Sequence, residues 1–253
     1  MRPGRSLRAG VLLAAVAAAP AAAQDALPPP HQHWSFSGPF GSFDPAALQR
    51  GFLVYQQVCS ACHSMKELYY RNLEGIGLSA DQVKAIAASV QVPGGLNETG
   101  QPIERRGLPS DHFRSPFPND QAARAANNGA LPPDQSVLEL ARAGGPNYIY
   151  GILTGYAAPP ASMHMQPGMS YNKYFPGHQI AMPQPLRDDS VTYTDGTKPT
   201  LDQEAHDVAT FLTWTANPEM VERKQMGVRV ILYLLFLTGL TYAVKRKVWA
   251  DVH

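Results

Sequence analysis

Both cysteines of this 253-residue chain fall within one pentapeptide, Cys59-Ser60-Ala61-Cys62-His63. A redox dithiol of the thioredoxin type belongs in a βαβ unit, and no such pattern surrounds residue 60. A structural zinc site takes about four ligands, and the chain has no second cysteine pair to supply them. His63 is also awkwardly placed to share a tetrahedral ion with its neighbour Cys62. The remaining reading is covalent attachment of a c-type haem. Thiols at i and i+3 on one helical turn reach two vinyl groups on one porphyrin edge and form thioethers. The next residue then lies under the ring, where its imidazole can coordinate the iron from the proximal side. One covalently bound haem c is therefore expected, with His63 as a ligand.

The flanking sequence predicts how the pentapeptide is presented. Asp44 and Pro45 read as an N-cap and first helical position. Leu48, Phe52 and Tyr55 then recur at helical spacing, so a helix is expected to deliver the thiols on its final turn. Near the other end, Thr200 and Gln203 form a T-x-x-Q capping box that opens the segment LDQEAHDVATFLTWTA. Ala205, Val208 and Leu212 share one face of that segment, with Phe211 beside it. These two helices are expected to cross and close one pocket.

Both ends are strongly apolar. Residues 1–23 carry Arg2, Arg5 and Arg8, then an apolar run and small residues ending in Ala21-Ala22-Ala23, with no acidic group before Asp25. This is the order of a secretory signal peptide; a mitochondrial transit peptide would be amphipathic. From Val230 to Val244 fifteen consecutive residues are uncharged, and extending back to Met226 gives nineteen with only Arg229. That approaches the roughly 20 residues needed to cross a bilayer. Lys245-Arg246-Lys247 follows and favours a cytoplasmic C-terminus. The expected organisation is a signal peptide at 1–23, an exported haem domain at 24–222, an anchor at 223–247 and a short cytoplasmic tail at 248–253. Gly239, with Thr238 and Thr241, offers the anchor a small-residue face for helix contacts. Residues 24–244 hold 15 basic and 19 acidic groups. The exported body is thus mildly acidic, which suits basic partners and argues against nucleic acid.

The second axial ligand is less constrained. Met65 is too close to His63 to reach the opposite face of a ring, and Met220 and Met226 border the membrane. Met163, Met165, Met169 and Met182 remain, and His112, His164, His178 and His206 are alternatives. Met182 stands out because Pro176-Gly177 and Pro183 to Pro185 bracket it in a stretch that cannot be helical throughout.

Several segments together resemble the cytochrome c1 family in its bacterial form. They are RGFLVYQQVCSACHSM (50–65), ARAANNGALPPD (123–134), YIYGILTGY (148–156), YNKYFPGHQIAMPQPL (171–186) and the C-terminal anchor. The resemblance implies a mainly α, cytochrome c-type haem domain with long irregular loops and one C-terminal transmembrane helix. It implies Cys59 and Cys62 as thioether residues, His63 and Met182 as iron ligands, and Arg124 as the partner of a haem propionate. Where some relatives carry Leu-Ser-Tyr after PPD, this chain reads Gln135-Ser136-Val137, so a tyrosine contact from that position is not available.

The function implied is electron transfer in a dimeric cytochrome bc1 complex of the bacterial inner membrane. The chain would take electrons from the Rieske iron-sulfur subunit, beside cytochrome b, and pass them to a soluble basic cytochrome c. Glu67, Glu74, Asp81, Asp188 and Asp189 are candidates for docking that carrier. The competing class is a membrane-anchored haem enzyme or oxidase subunit with an open distal site. A structural metal-binding or redox-dithiol module, without covalent haem, is a third.

Overall fold

The computed structural model describes residues 26–252, so the signal-peptide reading of 1–23 lies outside the described residues. Six helices carry the architecture: α1 (Pro45–Gln57), α2 (Ala80–Ala88), α3 (Asp120–Ala126), α4 (Pro146–Thr154), α5 (Leu201–Ala216) and α6 (Met220–Val248). Two small antiparallel hairpins accompany them, β1 (Gln91–Leu96) with β2 (Pro102–Arg106) and β3 (Ser170–Tyr171) with β4 (Gln179–Ile180). Long irregular segments connect the rest, and the fold is mainly α.

Helix α1 starts where expected. The Asp44 carboxylate accepts from the Ala46 N–H at 3.0 Å, and Pro45 occupies the first turn. The helix stops at Gln57, however, and the thiols follow in a separate 3₁₀ turn, Cys59–Ala61. Helix α5 has the expected bounds, but only half of its capping box forms. Thr200 Oγ1 accepts from the Gln203 N–H at 3.2 Å, while the Gln203 amide donates instead to Asp207 Oδ1 at 3.1 Å. The Thr200 N–H donates instead to the Lys198 carbonyl at 3.0 Å, which leaves the Gln203 side chain to the buried carboxylate one turn away.

Helices α1 and α5 cross at close range, and Gly51 is the reason they can. A Cβ at position 51 would lie 2.1 Å from the Asp207 carbonyl oxygen and 2.7 Å from Phe211 Cβ. Around this point Phe52 and Tyr55 meet Phe211 at ring-centroid distances of 5.7 and 6.0 Å. Phe113 closes the other side of both rings. The crossing also carries a buried ion pair. Arg50 Nε and Nη2 donate to the two oxygens of Asp207 at 2.8 and 3.0 Å, and Nη1 donates to Asp195 at 2.8 Å. Asp207 has no solvent exposure, so the fork of donors offsets a desolvation that would otherwise be large. These hydrogen bonds, strongest from Asp207, hold the Arg50 pKa above its ordinary value.

A second carboxylate of α5, Glu204, is also fully buried. Its Oε1 accepts from the Val191 N–H at 3.0 Å, and its Oε2 has no partner. Burial pushes its pKa upward. Helix α4 packs on the same helix, with the Tyr150 hydroxyl hydrogen-bonded to Asp202.

The β1–β2 hairpin was not expected from the sequence, because Pro93, Gly94 and Gly95 interrupt any alternation of apolar residues. The register shifts between Pro93 and Gly95. Surface ion pairs of Arg105 with Asp111 (2.6 Å) and Arg114 with Glu104 (2.7 Å) tie it to the following segment.

Helix α6 runs 29 residues with none buried. It is the one helix among the described residues long and apolar enough to cross a membrane. At 1.5 Å per residue it is roughly 43 Å long, enough for a hydrocarbon core of about 30 Å and its headgroup layers. Lys245, Arg246 and Lys247 occupy its last turn, where cations complement the helix dipole. Thr241 turns its hydroxyl back to the Leu237 and Thr238 carbonyls, and a Cβ at Gly239 would meet nothing within 4 Å.

Two outcomes follow from this packing. Gly51→Ala forces the α1 and α5 backbones apart, and guanidinium unfolding of the detergent-solubilised chain should show a loss of about 1–3 kcal/mol; an unchanged midpoint would contradict the close crossing. Glu204 has a folded-state pKa above its unfolded value, so its contribution is full at low pH and is lost as pH rises through the folded value. Glu204→Gln should therefore gain stability relative to the parent as pH is raised, and parallel stability–pH curves would refute the assignment.

Candidate functional site

The Cys59–His63 turn follows α1 after the single residue Val58, whose N–H donates to the Val54 carbonyl. The Cys62 and His63 N–H groups both donate to the Cys59 carbonyl, at 3.1 and 2.9 Å, which keeps the two thiols and the imidazole on one compact turn. Both cysteines are free thiols; Cys59 is buried and Cys62 is exposed. Burial, with the neighbouring Cys62 as a lesser cause, pushes the Cys59 thiol up to about 12.

The His63 ring is buried and held by its Nδ1, 2.8 Å from the Pro133 carbonyl oxygen. A carbonyl only accepts, so Nδ1 carries the proton and the lone pair resides on Nε2. This is the arrangement of a metal-ligating imidazole whose other nitrogen is oriented by a backbone carbonyl. Burial lowers the His63 pKa, opposed by the Pro133 hydrogen bond and the Asp134 charge. The neutral ring is the form a metal requires.

Four further hydrogen bonds stitch the Pro133–Ser136 segment to the residues after His63. Asp134 Oδ2 accepts from Ser64 Oγ at 2.7 Å and from the Lys66 N–H at 2.9 Å. The Gln135 N–H donates to the Ser64 carbonyl at 2.8 Å, and the Glu67 N–H donates to Ser136 Oγ at 3.0 Å. Burial acts to raise the Asp134 pKa, but donors from Ser136, Ser64 and Lys66 outweigh it and hold it below the usual value. Gln135 and Ser136 are buried and Val137 is exposed. Gln135 and Ser136, where this chain departs from Leu-Ser-Tyr, thus hold the backbone after His63, while the ring itself is held by Pro133 just upstream. Sequence reasoning singled out none of these residues for that role, since a backbone carbonyl 70 positions away leaves no trace in spacing.

Met182 lies on the segment after the β3–β4 hairpin and is partly exposed. Its carbonyl accepts from the Tyr156 hydroxyl at 3.0 Å. Behind it Asn172 is fully buried, donating to the Ile152 carbonyl at 2.7 Å and accepting from the Tyr174 N–H at 3.0 Å. The hairpin is therefore anchored on α4, and α4 on α5. Among the described residues no hydrogen bond joins the Met182 segment to the Cys59–His63 turn; both are positioned by the helices beneath them.

The alternative histidines are otherwise engaged or exposed, while Met163, Met165 and Met169 are, like Met182, partly exposed. His112 packs on Tyr69 at 3.8 Å between centroids, and His206 stacks on Trp34 at 4.4 Å. His178 Nδ1 lies 3.2 Å from the Asn172 carbonyl, and His164 is exposed. Arg124 stands exposed in the last turn of α3 and donates to the Gly129 carbonyl at 3.1 Å. The residues present fit a c-type haem: two free thiols i and i+3 apart, and an imidazole with its tautomer set for ligation.

Asp134→Ala would remove the acceptor shared by Ser64, Lys66 and Ser136. A loss of about 1–3 kcal/mol in unfolding free energy is expected. An unchanged unfolding midpoint would show that this stitching does not hold the loop.

Comparison with known proteins places nearly the whole chain in one family. Residues 34–252 match the Cytochrome C1 family. Cytochrome c1 of Rhodospirillum rubrum is 45% identical over 264 residues, covering 98% of this chain and 97% of that protein. The mitochondrial cytochrome c1 heme protein of Saccharomyces cerevisiae is 46% identical over 232 residues, covering 91% of this chain and 75% of that one. A cytochrome b/c1 of Bradyrhizobium diazoefficiens is 46% identical over 247 residues, or 89% of this chain and 36% of that longer protein. With a family match over residues 34–252 and a likeness that runs nearly its whole length, the chain belongs to the cytochrome c1 family.

Proposed function

We propose that the chain is the haem-bearing, membrane-anchored subunit of a cytochrome bc1 complex, carrying electrons from a Rieske iron-sulfur subunit to a soluble basic cytochrome c. Membership of the cytochrome c1 family, whose proteins carry one covalently bound haem c, is the observation that supports it. The fusion named cytochrome b/c1 supports cytochrome b as a neighbour in the complex, which we take to be dimeric. Quinol chemistry would belong to that neighbour.

Haem c supplies reversible one-electron exchange at its iron when bound. Cys59 and Cys62 would hold it through thioethers. His63 would ligate through Nε2, with the Pro133 carbonyl keeping the ring in place. Met182 would be the second ligand, on a segment steadied by Tyr156. Ligation from both sides would leave no position for a substrate, which suits electron transfer rather than oxygen chemistry. Arg124 would face a propionate, where an unpaired buried carboxylate would be costly.

The proposed order along the chain is a leader at 1–23, a periplasmic haem domain at 24–222, an anchor at 223–247 that lies within α6, and a cytoplasmic tail at 248–253. The membrane would be the bacterial inner membrane. Glu67, Glu74, Asp81, Asp188 and Asp189 are all exposed and available to a basic carrier, although Asp188 also caps α5 through the Leu201 N–H at 2.8 Å.

Visible spectra of the ferrous protein with and without carbon monoxide test the closed coordination. No change is expected, whereas an adduct in the native protein would move the reading to a ligand-binding haem enzyme. Met182→Leu should give a high-spin or low-potential haem, and an unaltered spectrum and potential would remove Met182 from the ligand set.

A further inference from the structure

The ten residues Trp34 to Phe43 carry no charged group. Three of their aromatic side chains turn inward, with Trp34 stacked on Phe36 at 5.5 Å and Phe36 against Phe43 at 5.0 Å. The fourth, Phe40, is 83% exposed, more than any other large apolar side chain among the described residues, including Phe236 of α6 at 71%. The loop that displays it is closed. The Ser42 N–H donates to the Ser35 carbonyl at 3.1 Å and the Ser37 N–H to the Trp34 carbonyl at 3.0 Å. At Gly41 a Cβ would sit 2.1 Å from the Ser37 carbonyl oxygen, so only glycine permits this turn. An uncharged, tightly closed loop presenting a bare phenyl ring is a poor surface for water.

Its position says what covers it. The Lys224 ammonium donates to the Phe36 carbonyl, which fastens the loop to the first turns of α6. Lys224 precedes Met226 by two residues and the uncharged run from Val230 by six, roughly 3 and 9 Å along the helix axis at 1.5 Å per residue. The headgroup layer of a bilayer is about 5–8 Å thick on each side of the hydrocarbon core. The loop that displays Phe40 is therefore fastened, through Phe36, to the first turns of α6, within about one headgroup thickness of the start of the apolar segment. Arg223 and Lys224 supply cations at the same level, suited to anionic lipid.

We infer that the Phe40 loop is a second membrane contact, in which the phenyl ring inserts among lipid headgroups beside α6. The inference rests on the reading of α6 as a membrane span. Two points of attachment, a helix through the bilayer and a ring in its surface, fix the tilt of the haem domain where a single helix would leave it free to rock.

Photocrosslinking in the assembled complex in native membranes tests this, with p-benzoylphenylalanine placed at Phe40, at Leu96 on the exposed hairpin, or at Leu235 within the span. The probe at Phe40 should raise the mass of the chain by one phospholipid on irradiation, well above the yield at Leu96. A product fused to another subunit would show that protein covers the loop, and an adduct yield no greater than at Leu96 would show that it faces water; either overturns the inference. Absence at Leu235 of adducts to lipid or to a neighbouring membrane helix would overturn the reading of α6 itself, and the inference with it.

Discussion

The two segments that carry the candidate thiols and Met182 are positioned by how closely α1 and α5 approach. The Cys59–His63 turn continues from α1, and the Met182 hairpin rests on α4, which in turn rests on α5. The contact at Gly51 therefore sets the relation between two segments that share no hydrogen bond with each other. Arg50 reinforces it with a fork of donors on Asp207, so a polar lock with one permitted geometry sits beside an aromatic cluster that would tolerate several. A buried ion pair is weak evidence for added stability, but it is a strong device for registering two helices.

The imidazole is fixed by a different kind of structure. Five hydrogen bonds run between residues 63–67 and 133–136, and five of the groups they join are main-chain: the Ser64 and Pro133 carbonyls and the Lys66, Glu67 and Gln135 N–H groups. A loop without regular secondary structure thereby becomes a rigid cradle. The arrangement orients Nε2 without a carboxylate on the ring itself, and burial lowers the imidazole pKa against the opposing Pro133 hydrogen bond and Asp134 charge.

Local signals were the legible part of the sequence. Asp44-Pro45 and the spacing of Leu48, Phe52 and Tyr55 marked α1, and Thr200 marked the start of α5, because capping and periodicity act within one or two turns. The Cys59–His63 pentapeptide stood out as the candidate attachment site for the same reason. What could not be read were interactions set by tertiary contact. Gln203 left its expected cap for Asp207, the thiols fell just beyond α1 rather than within it, and the β1–β2 hairpin formed across a Pro-Gly-Gly run that has no strand pattern. The Pro133 carbonyl belongs to the same class. Met182 was favoured by its flanking prolines and by resemblance, and the structure adds that His112, His178 and His206 have other contacts.

Helix α6 buries none of its own residues against the domain, and Met220 and Lys224 at its root are the principal joins. The chain accordingly answers to two solvents, with water-driven collapse organising the pocket and lipid organising the anchor. Substitutions in α6 would then be felt in recruitment to the membrane and in subunit association, while substitutions around Gly51 or Asp134 would be felt in the stability of the folded domain. Such a division lets one part of the chain adapt to its neighbours in the bilayer without disturbing the chemistry held above it.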